Sequence, residues 1–214
     1  EWVALMKGGS GERGIFNRGG LLKTLPKRRI DILKEEGLVN NDRIVGVIGT
    51  NPCAEIILQS KQFCNLSEII ARAEDTDESL MRKMQLATIL GTYQSTLSHF
   101  PYLSKGWKKN CERERLLGVS ITGQWDSKLV REPEMLQKLK EEAIRVNKVY
   151  AKRFEINESS CITCVKPSGT VSQTVDCSSG MHPRHARYYI RRVRISATDA
   201  LFKMLKEQGV PYQP

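Results

Sequence analysis

Asn51-Pro52-Cys53-Ala54-Glu55, with Cys64 eleven residues after Cys53, is the stretch that most constrains the fold and chemistry of this chain. If the segment is extended, alternate side chains point to one face, so an amide, a thiol and a carboxylate lie side by side. Cys64 follows a predicted turn at residues 59–62. A thiol beside a base, with a second thiol in reach, is typical of redox or nucleophilic sites. Free cysteine is also a common packing residue, but the flanking pattern favours chemistry.

The elements around this motif alternate between strands and helices. An apolar run at residues 44–48 predicts a buried strand that leads into the motif, and residues 54–58 are predicted to continue extended. Further strands are predicted at residues 117–122, 161–165 and 188–195, and helices at residues 75–100, 133–156 and 198–208. The apolar stripe of the first helix comprises Leu80, Met84, Ala87, Leu90 and Leu97, and that of the second Leu136, Leu139, Ala143, Val146 and Tyr150. Strands alternating with long helices predict the α/β class, as a parallel sheet or barrel.

A second motif, Lys166-Pro167-Ser168-Gly169-Thr170-Val171-Ser172, follows the strand predicted at residues 161–165. A turn with glycine and several hydroxyls can present N–H and O–H donors to an anion. The spacing is not that of a Walker A loop, and taken alone the stretch is an ordinary turn. At the carboxyl end of a parallel strand, where ligand sites of α/β proteins gather, it predicts phosphate binding.

The remaining cysteines are predicted to pack in the interior. Cys161 and Cys164 have CxxC spacing, but in a strand they face opposite sides, and neither a second pair nor a nearby histidine completes a metal site. We therefore interpret them, with Cys111 and Cys177, as packing residues. Six cysteines dispersed along 214 residues favour a reducing cytoplasm.

Composition excludes several classes of protein. Hydrophobic residues at 40% and charged residues at 27% are typical of a soluble globular protein. No apolar run approaches the ~20 residues that cross a bilayer, and no signal peptide is visible. The net charge of +10 fits nucleic acid or a small polyphosphate ligand. Without a recognisable nucleic-acid-binding motif, we expect no stable nucleic-acid complex and no membrane association. The residues at both ends are typical of positions inside a longer chain, so we expect this sequence to be a segment of one.

Together these motifs resemble the catalytic subunit of ribonucleotide reductase, and within it the class II, adenosylcobalamin-dependent ribonucleoside-triphosphate reductases. The matching pieces occur in the family's order and cover most of the chain. They are Asn51-Pro52-Cys53-Ala54-Glu55-Ile56, Cys64-Asn65-Leu66, Leu117-Gly118-Val119-Ser120-Ile121-Thr122-Gly123, the Lys166 to Ser172 stretch and Tyr188-Tyr189-Ile190-Arg191-Arg192-Val193-Arg194. Pro52 and the Pro-Ser-Gly-Thr loop favour class II over the iron-dependent class I.

The resemblance implies a fold as well as an activity. It implies part of a ten-stranded α/β barrel with a central finger loop at about residues 49–58, and a phosphate loop at about residues 166–172. Residues 1–214 would form one partial catalytic barrel domain, roughly the second half of the barrel, without a separate second domain.

The resemblance also implies a role for each motif residue. Cys53, at the tip of the finger loop, would become a thiyl radical through adenosylcobalamin and abstract the ribose 3′-hydrogen. Glu55 would be the general base on the 3′-hydroxyl, Asn51 would hydrogen-bond the sugar, and Cys64 would be one of two cysteines oxidised to a disulfide. Pro167, Ser168, Gly169 and Thr170 would hold the phosphates of a ribonucleoside triphosphate, and a thioredoxin-like dithiol would restore the cysteines.

In the family the partner of Cys64 lies upstream, so we expect the isolated 214-residue chain to be inactive without the rest of the parent chain, which supplies the missing half-barrel. Two alternatives remain from sequence. One is another thiyl-radical barrel enzyme, such as the anaerobic glycyl-radical reductase or a formate-lyase relative. The other is a basic nucleic-acid-binding module, supported by charge alone.

Overall fold

The computed structural model describes residues 1–9, 14–190 and 192–213. The chain divides into two compact units, Glu1–Pro183 and Arg184–Pro214. The helices are α1 (Trp2–Lys7), α2 (Leu21–Thr24), α3 (Lys27–Glu35), α4 (Asp77–Gln94), α5 (Lys105–Glu114), α6 (Pro133–Arg153), α7 (Thr170–Thr174) and α8 (Ala200–Glu207). The strands are β1 (Val39–Asn40), β2 (Arg43–Ile44), β3 (Ile48–Thr50), β4 (Ile57–Gln59), β5 (Asn65–Ile70) and β6 (Leu117–Thr122). The prediction of a single partial barrel domain stays a prediction.

The centre of the first unit is a parallel β–α–β arrangement. Strands β5 and β6 pair in parallel, from Asn65 opposite Leu117 to Ile70 opposite Thr122. The segment predicted as a strand at residues 161–165 lies beside β6, where Thr163 makes an isolated parallel bridge to Val119. The predicted α/β class is therefore confirmed, and the strand at residues 117–122 is confirmed as β6. The described residues form no closed barrel.

Helices α4 and α6 cover one face of this sheet. Their apolar sides meet the β5 and β6 side chains in one buried cluster, which removes a large apolar surface from water. Its members are Ile69, Ala71, Leu80, Met84, Ala87, Leu117, Val119, Val130, Met135, Leu139, Ala143 and Ile162. The predicted stripes are thus confirmed at Leu80, Met84 and Ala87 of α4 and at Leu139 and Ala143 of α6.

The first long helix is shorter than predicted. It begins after Thr76, whose hydroxyl and that of Ser79 form a capping box. It ends at Gln94 and not near residue 100, and there the hydroxyls of Ser95 and Thr96 bond the carbonyls of Thr92 and Tyr93, each at 2.7 Å. Such side-chain bonds compete with helix continuation.

Three apolar residues of the predicted stripes are exposed, and Tyr150 near the end of α6 is only partly buried. Leu90 and Leu97 are exposed, and so is Leu136 at the start of α6. The stripe of α6 is buried at Leu139, Ala143 and Val146, and the helix covers most of the predicted range. Helical periodicity therefore located both helices but not the limits of their buried faces.

The predicted buried strand at residues 44–48 is wrong. Its two ends belong to different hairpins, since β2 pairs with β1 and β3 pairs with β4. The backbone N–H groups of Val45 and Gly46 both donate to the Leu38 carbonyl, which turns the chain between the hairpins. Val45 and Val47 are consequently exposed.

The second unit, Arg184–Pro214, contains α8 among its described residues. This helix confirms the prediction for residues 198–208, and the Asp199 carboxylate caps it by accepting from Leu201 N–H. The predicted strand at residues 188–195 is wrong for residues 188–190 and 192–195, which form no strand; Arg191 lies outside the described residues. No helix in the described part of the chain has the length and apolar character needed to cross a membrane.

Candidate functional site

The Cys53 motif forms a closed turn between strands β3 and β4, which pair in antiparallel register from Ile48–Gln59 to Thr50–Ile57. The Asn51 carbonyl accepts a hydrogen bond from Ala54 N–H at 3.0 Å. The Asn51 side-chain Oδ1 accepts another from Ile56 N–H at 3.1 Å. Pro52 occupies the second position of this turn, which its fixed φ favours. The prediction that this segment is extended is therefore wrong.

The turn separates the thiol from the carboxylate. Cys53 is exposed at the tip of the hairpin, whereas the Glu55 side chain is only 1% exposed. Ala54 between them has a φ of 62°, which is uncommon for a residue with a Cβ. Such strain is concentrated at functional loops. Asn51 closes the loop with its backbone and its side chain, a structural role that the sequence did not indicate.

Glu55 pairs with the first residue of the second motif. Lys166 Nζ lies 3.1 Å from Glu55 Oε1, and the lysine side chain is 27% exposed. The other carboxylate oxygen, Oε2, is buried and makes no well-aligned hydrogen bond with any described residue. One oxygen of Glu55 is thus fixed, and the other remains available as an acceptor.

The Glu55 carboxyl is held in its ionised form. Burial acts to raise its pKa, but its own backbone N–H, the Asn51 amide and the Lys166 ammonium together lower the pKa below the ordinary value. Lys166 in turn has a raised pKa, first because of its hydrogen bond to Glu55. A buried carboxylate with a free oxygen suits a general base for a hydroxyl proton.

Two half-buried thiols belong to the same cluster. Burial, together with the charge of Glu55, raises the pKa of Cys64 to about 11. Burial raises the pKa of Cys164 to about 12, with further contributions from Cys64 and Glu55. Both are therefore protonated thiols at neutral pH, so they can donate a proton or hydrogen atom and are poor thiolate nucleophiles.

Gly118 on β6 provides space for this cluster. A Cβ at this position would lie 2.5 Å from Leu66 Cδ2 and 3.2 Å from both Cys164 Sγ and Ile56 Cδ1. A side chain here would first clash with Leu66 and would also press on Cys164 and Ile56. Gly118 in the LGVSIT strand is therefore packed closely against Leu66, Cys164 and Ile56.

The predicted phosphate loop presents fewer donors than its sequence indicates. The Ser168 hydroxyl is buried and donates to Glu68 Oε2 at 3.0 Å, while the Ser120 hydroxyl donates to Glu68 Oε1 at 3.0 Å. Gly169 has a φ of 54° and, like Pro167 and Thr170, is exposed. The exposed backbone remains available to an anion, but the Ser168 hydroxyl does not in this arrangement.

The structure therefore brings Cys53, Glu55 and Cys64 to one end of the sheet and connects them to the second motif through Lys166. The roles of Lys166 and Glu68 in this site were not predicted from the sequence. Glu68 could have been found, since it follows Cys64 by four residues in a strand and shares its face. Cys164 was interpreted as a packing residue, and its electrostatic coupling to Cys64 follows only from tertiary structure.

Comparison with known proteins gives consistent relatives. The chain is 32% identical over 198 residues to an adenosylcobalamin-dependent ribonucleoside-triphosphate reductase of Lactobacillus acidophilus, an alignment that covers 78% of this chain and 26% of that protein. A reductase of the same name from Lacticaseibacillus paracasei is 28% identical over 99% of this chain and 31% of its own length.

This chain is homologous to a segment of these adenosylcobalamin-dependent ribonucleoside-triphosphate reductases. It spans under a third of the length of the curated relatives that it matches. No family model matches it.

Solved reductases share the fold. A B12-dependent class II ribonucleotide reductase superposes with a TM-score of 0.51 at 25% identity, over 69% of this chain and 23% of that chain. The class Id ribonucleotide reductase alpha subunit of Actinobacillus ureae gives a TM-score of 0.55 over 98% of this chain and 46% of its own chain, at 19% identity. At this level of identity the match is evidence for a shared fold and for nothing further.

Proposed function

We propose that the protein carrying this chain reduces ribonucleotides, and specifically ribonucleoside triphosphates, to 2′-deoxyribonucleotides by a thiyl-radical mechanism. The observation that carries the proposal is the cluster formed by an exposed thiol at a hairpin tip, a buried ionised carboxylate and a protonated second thiol. The names of the curated relatives support the same reaction. In this proposal the β3–β4 hairpin is the finger loop of a ten-stranded barrel.

Each residue of the cluster has one task in the proposed reaction. Cys53, as a radical, takes the 3′-hydrogen of the ribose and returns it after reduction. Glu55 accepts the 3′-hydroxyl proton through its free oxygen. Cys64 donates a proton as the 2′-hydroxyl leaves as water, and with a second cysteine it supplies two electrons and becomes a disulfide. Asn51 holds the loop and the Glu55 carboxylate, so its proposed contact with the sugar would require its amide to leave Glu55.

Adenosylcobalamin is the proposed cofactor, and when bound it supplies the one-electron chemistry that converts the Cys53 thiol to a radical. The arrangement of this loop fits that requirement because the Cys53 side chain is exposed. The contribution of this chain's own residues is to hold the thiol at the tip of a closed turn.

The substrate and reductant are also proposals. The exposed backbone N–H groups of Gly169 and Thr170 would bind the substrate phosphates, while Pro167, which has no N–H, shapes the turn and Ser168 acts through its bond to Glu68. A thioredoxin-like dithiol in the cytoplasm would restore the oxidised cysteines. The half-buried position of Cys64 requires that this exchange pass through a more accessible thiol of the whole enzyme.

The test is a Cys53→Ser substitution in the full-length enzyme, assayed for deoxynucleotide formation with adenosylcobalamin and a dithiol. We expect no detectable reduction, because a serine hydroxyl cannot replace the thiyl radical. Wild-type enzyme with 3′-deuterated substrate should show a kinetic isotope effect on reduction. Cys111→Ser is the matched control, since Cys111 lies outside the cluster, and it should retain activity. Reduction by the Cys53→Ser enzyme would contradict the proposal.

A further inference from the structure

We propose that Lys166 is a positioning residue for the reductase reaction, which orients the Glu55 carboxylate and joins the Cys53 loop to the segment that leads into the phosphate loop. The inference rests on the proposed function, because Glu55 must be the base for its orientation to matter. Lys166 touches neither sugar nor cofactor in this role and acts through Glu55.

The geometry of the ion pair carries the inference. Lys166 Nζ contacts only one oxygen of Glu55, at 3.1 Å. Together with the Glu55 backbone N–H and the Asn51 amide, this contact restricts the rotation of the carboxylate, and Oε2 is left buried and without a well-aligned partner among the described residues. An unpaired buried carboxylate oxygen is costly unless a ligand donor satisfies it. The hydroxyl of a bound sugar is such a donor.

The charge of Lys166 has a second effect, because the ammonium lies among acids and thiols. Among the described residues, the thiols that interact with Glu55 or Lys166 are those of Cys53, Cys64 and Cys164, from the hairpin tip, the residue before β5 and the segment beside β6. Arg29 acts in turn on Cys64, and Glu68 on Cys164. The ammonium lowers the pKa of Glu55, and it also opposes the rise in the pKa of both half-buried thiols. Lys166 therefore keeps the base ionised, while burial and the charge of Glu55 keep both thiols protonated against the effect of the ammonium.

The connection between motifs follows from where Lys166 lies in the chain. It immediately precedes Pro167, and the Pro167–Thr170 turn leads directly into α7. A phosphate held by this turn would therefore fix the backbone at Lys166 and, through the ion pair, the rotation of the base. Substrate binding and orientation of the base are thereby coupled through one side chain.

The experiment compares Lys166→Met, Lys166→Gln and Lys166→Arg in the full-length enzyme. Met removes the charge and the donor, Gln keeps a donor without charge, and Arg keeps the charge. We expect the Met and Gln enzymes to lose roughly tenfold to a hundredfold in kcat with little change in KM, a part of the 10²–10⁴-fold contribution of a general base. Arg should recover most of the rate.

The pH profile separates positioning from general damage. Without the ammonium the pKa of Glu55 rises, so the acidic limb of the kcat/KM profile should move to higher pH in the Met and Gln enzymes and return in the Arg enzyme. The matched control is Lys83→Met, which breaks a comparable half-buried ion pair with Asp75 at 2.7 Å. It should leave the acidic limb in place. The proposal would be overturned if the Met and Gln enzymes kept the wild-type kcat and the wild-type acidic limb of the kcat/KM profile. It would also be overturned if the Arg enzyme lost as much kcat as the Met enzyme.

A second readout does not need turnover. The Glu55 carboxyl carbon, followed by ¹³C NMR over pH in wild-type and Lys166→Gln protein, should titrate at higher pH in the variant. If the wild-type enzyme reduced no ribonucleotide, the proposed function would fail while this titration still tested the Lys166–Glu55 coupling. An identical titration in the two proteins would overturn the coupling whatever the activity.

Discussion

Arg29 Nε donates to Glu114 Oε2 at 2.7 Å, and the two side chains are 2% and 0% exposed. This pair joins α3 to the carboxyl end of α5. The Glu114 carboxylate also accepts from Gln59 Nε2 at 2.9 Å, Gln62 Nε2 at 2.8 Å and Ser160 Oγ at 2.7 Å. Because Gln59 and Gln62 delimit the turn between β4 and Cys64, this buried network fixes the spacing between the two parts of the candidate site.

Removing one member of this network should destabilise the protein strongly. A Glu114→Leu substitution leaves the Arg29 guanidinium buried without its counter-ion, which typically costs about 3–5 kcal/mol. Urea unfolding followed by circular dichroism measures the change. Lys138→Ala, which breaks an exposed pair with Asp77, is the control and should change the unfolding free energy by about 0–1 kcal/mol. Equal effects of the two substitutions would contradict the role assigned to the network.

The cysteines should differ in their rates of alkylation. Cys53 is exposed, whereas Cys64 and Cys164 are half-buried and have raised pKa values. At pH 7.5 we expect iodoacetamide to modify Cys53 at least about tenfold faster than the other two, because the thiolate is the reacting form. Peptide mapping by mass spectrometry after timed quenching measures each rate. Buried Cys177 provides the slow reference, and a Cys64 as reactive as Cys53 would be inconsistent with the structure.

Stability should fall in alkaline solution partly because of the same thiols. The unfolded chain releases thiol protons above about pH 9, whereas folded Cys64 and Cys164 keep theirs to about 11 and about 12. Their stabilising contribution is therefore complete below pH 9 and is lost as the pH rises through the folded values. Urea unfolding at pH 7.5 and pH 10 should show a smaller alkaline loss for Cys164→Ala than for wild type. An equal alkaline loss of stability in both proteins would contradict the conclusion that Cys164 is a buried, protonated thiol.

Gly123, directly after β6, should not tolerate a side chain. Its φ is +75°, and a Cβ would lie 2.3 Å from the Ala71 carbonyl oxygen. Gly37 is a matched control, with a φ of +69° and no atom within 4 Å of a Cβ. We expect Gly37→Ala to cost about 1 kcal/mol for backbone strain alone, and Gly123→Ala to cost at least about 2 kcal/mol more. Chemical denaturation measures the loss in free energy of unfolding for both variants. Similar losses would mean that a small backbone shift removes the clash with the Ala71 carbonyl.

Local patterns predicted those elements whose packing follows directly from periodicity. Helix α6 and strand β6 have regular apolar spacing, and both were correctly located. The prediction of a strand at residues 44–48 was wrong because an apolar run does not reveal which chain segment pairs with it. Val45 and Val47 are exposed, since the chain turns at Gly46 toward the Leu38 carbonyl.

The sequence by itself determined the α/β class, the two motifs and the family to which they are related, because residue identities and spacings carry that information. Only the tertiary structure decided that the Cys53 segment is a closed turn and that Glu55 is buried beside Lys166, 111 positions later in the chain. It also decided that the Ser168 hydroxyl is bound by Glu68. The physical reason is that burial, pKa and hydrogen-bond partners depend on which distant segments pack together, and local sequence does not specify those contacts.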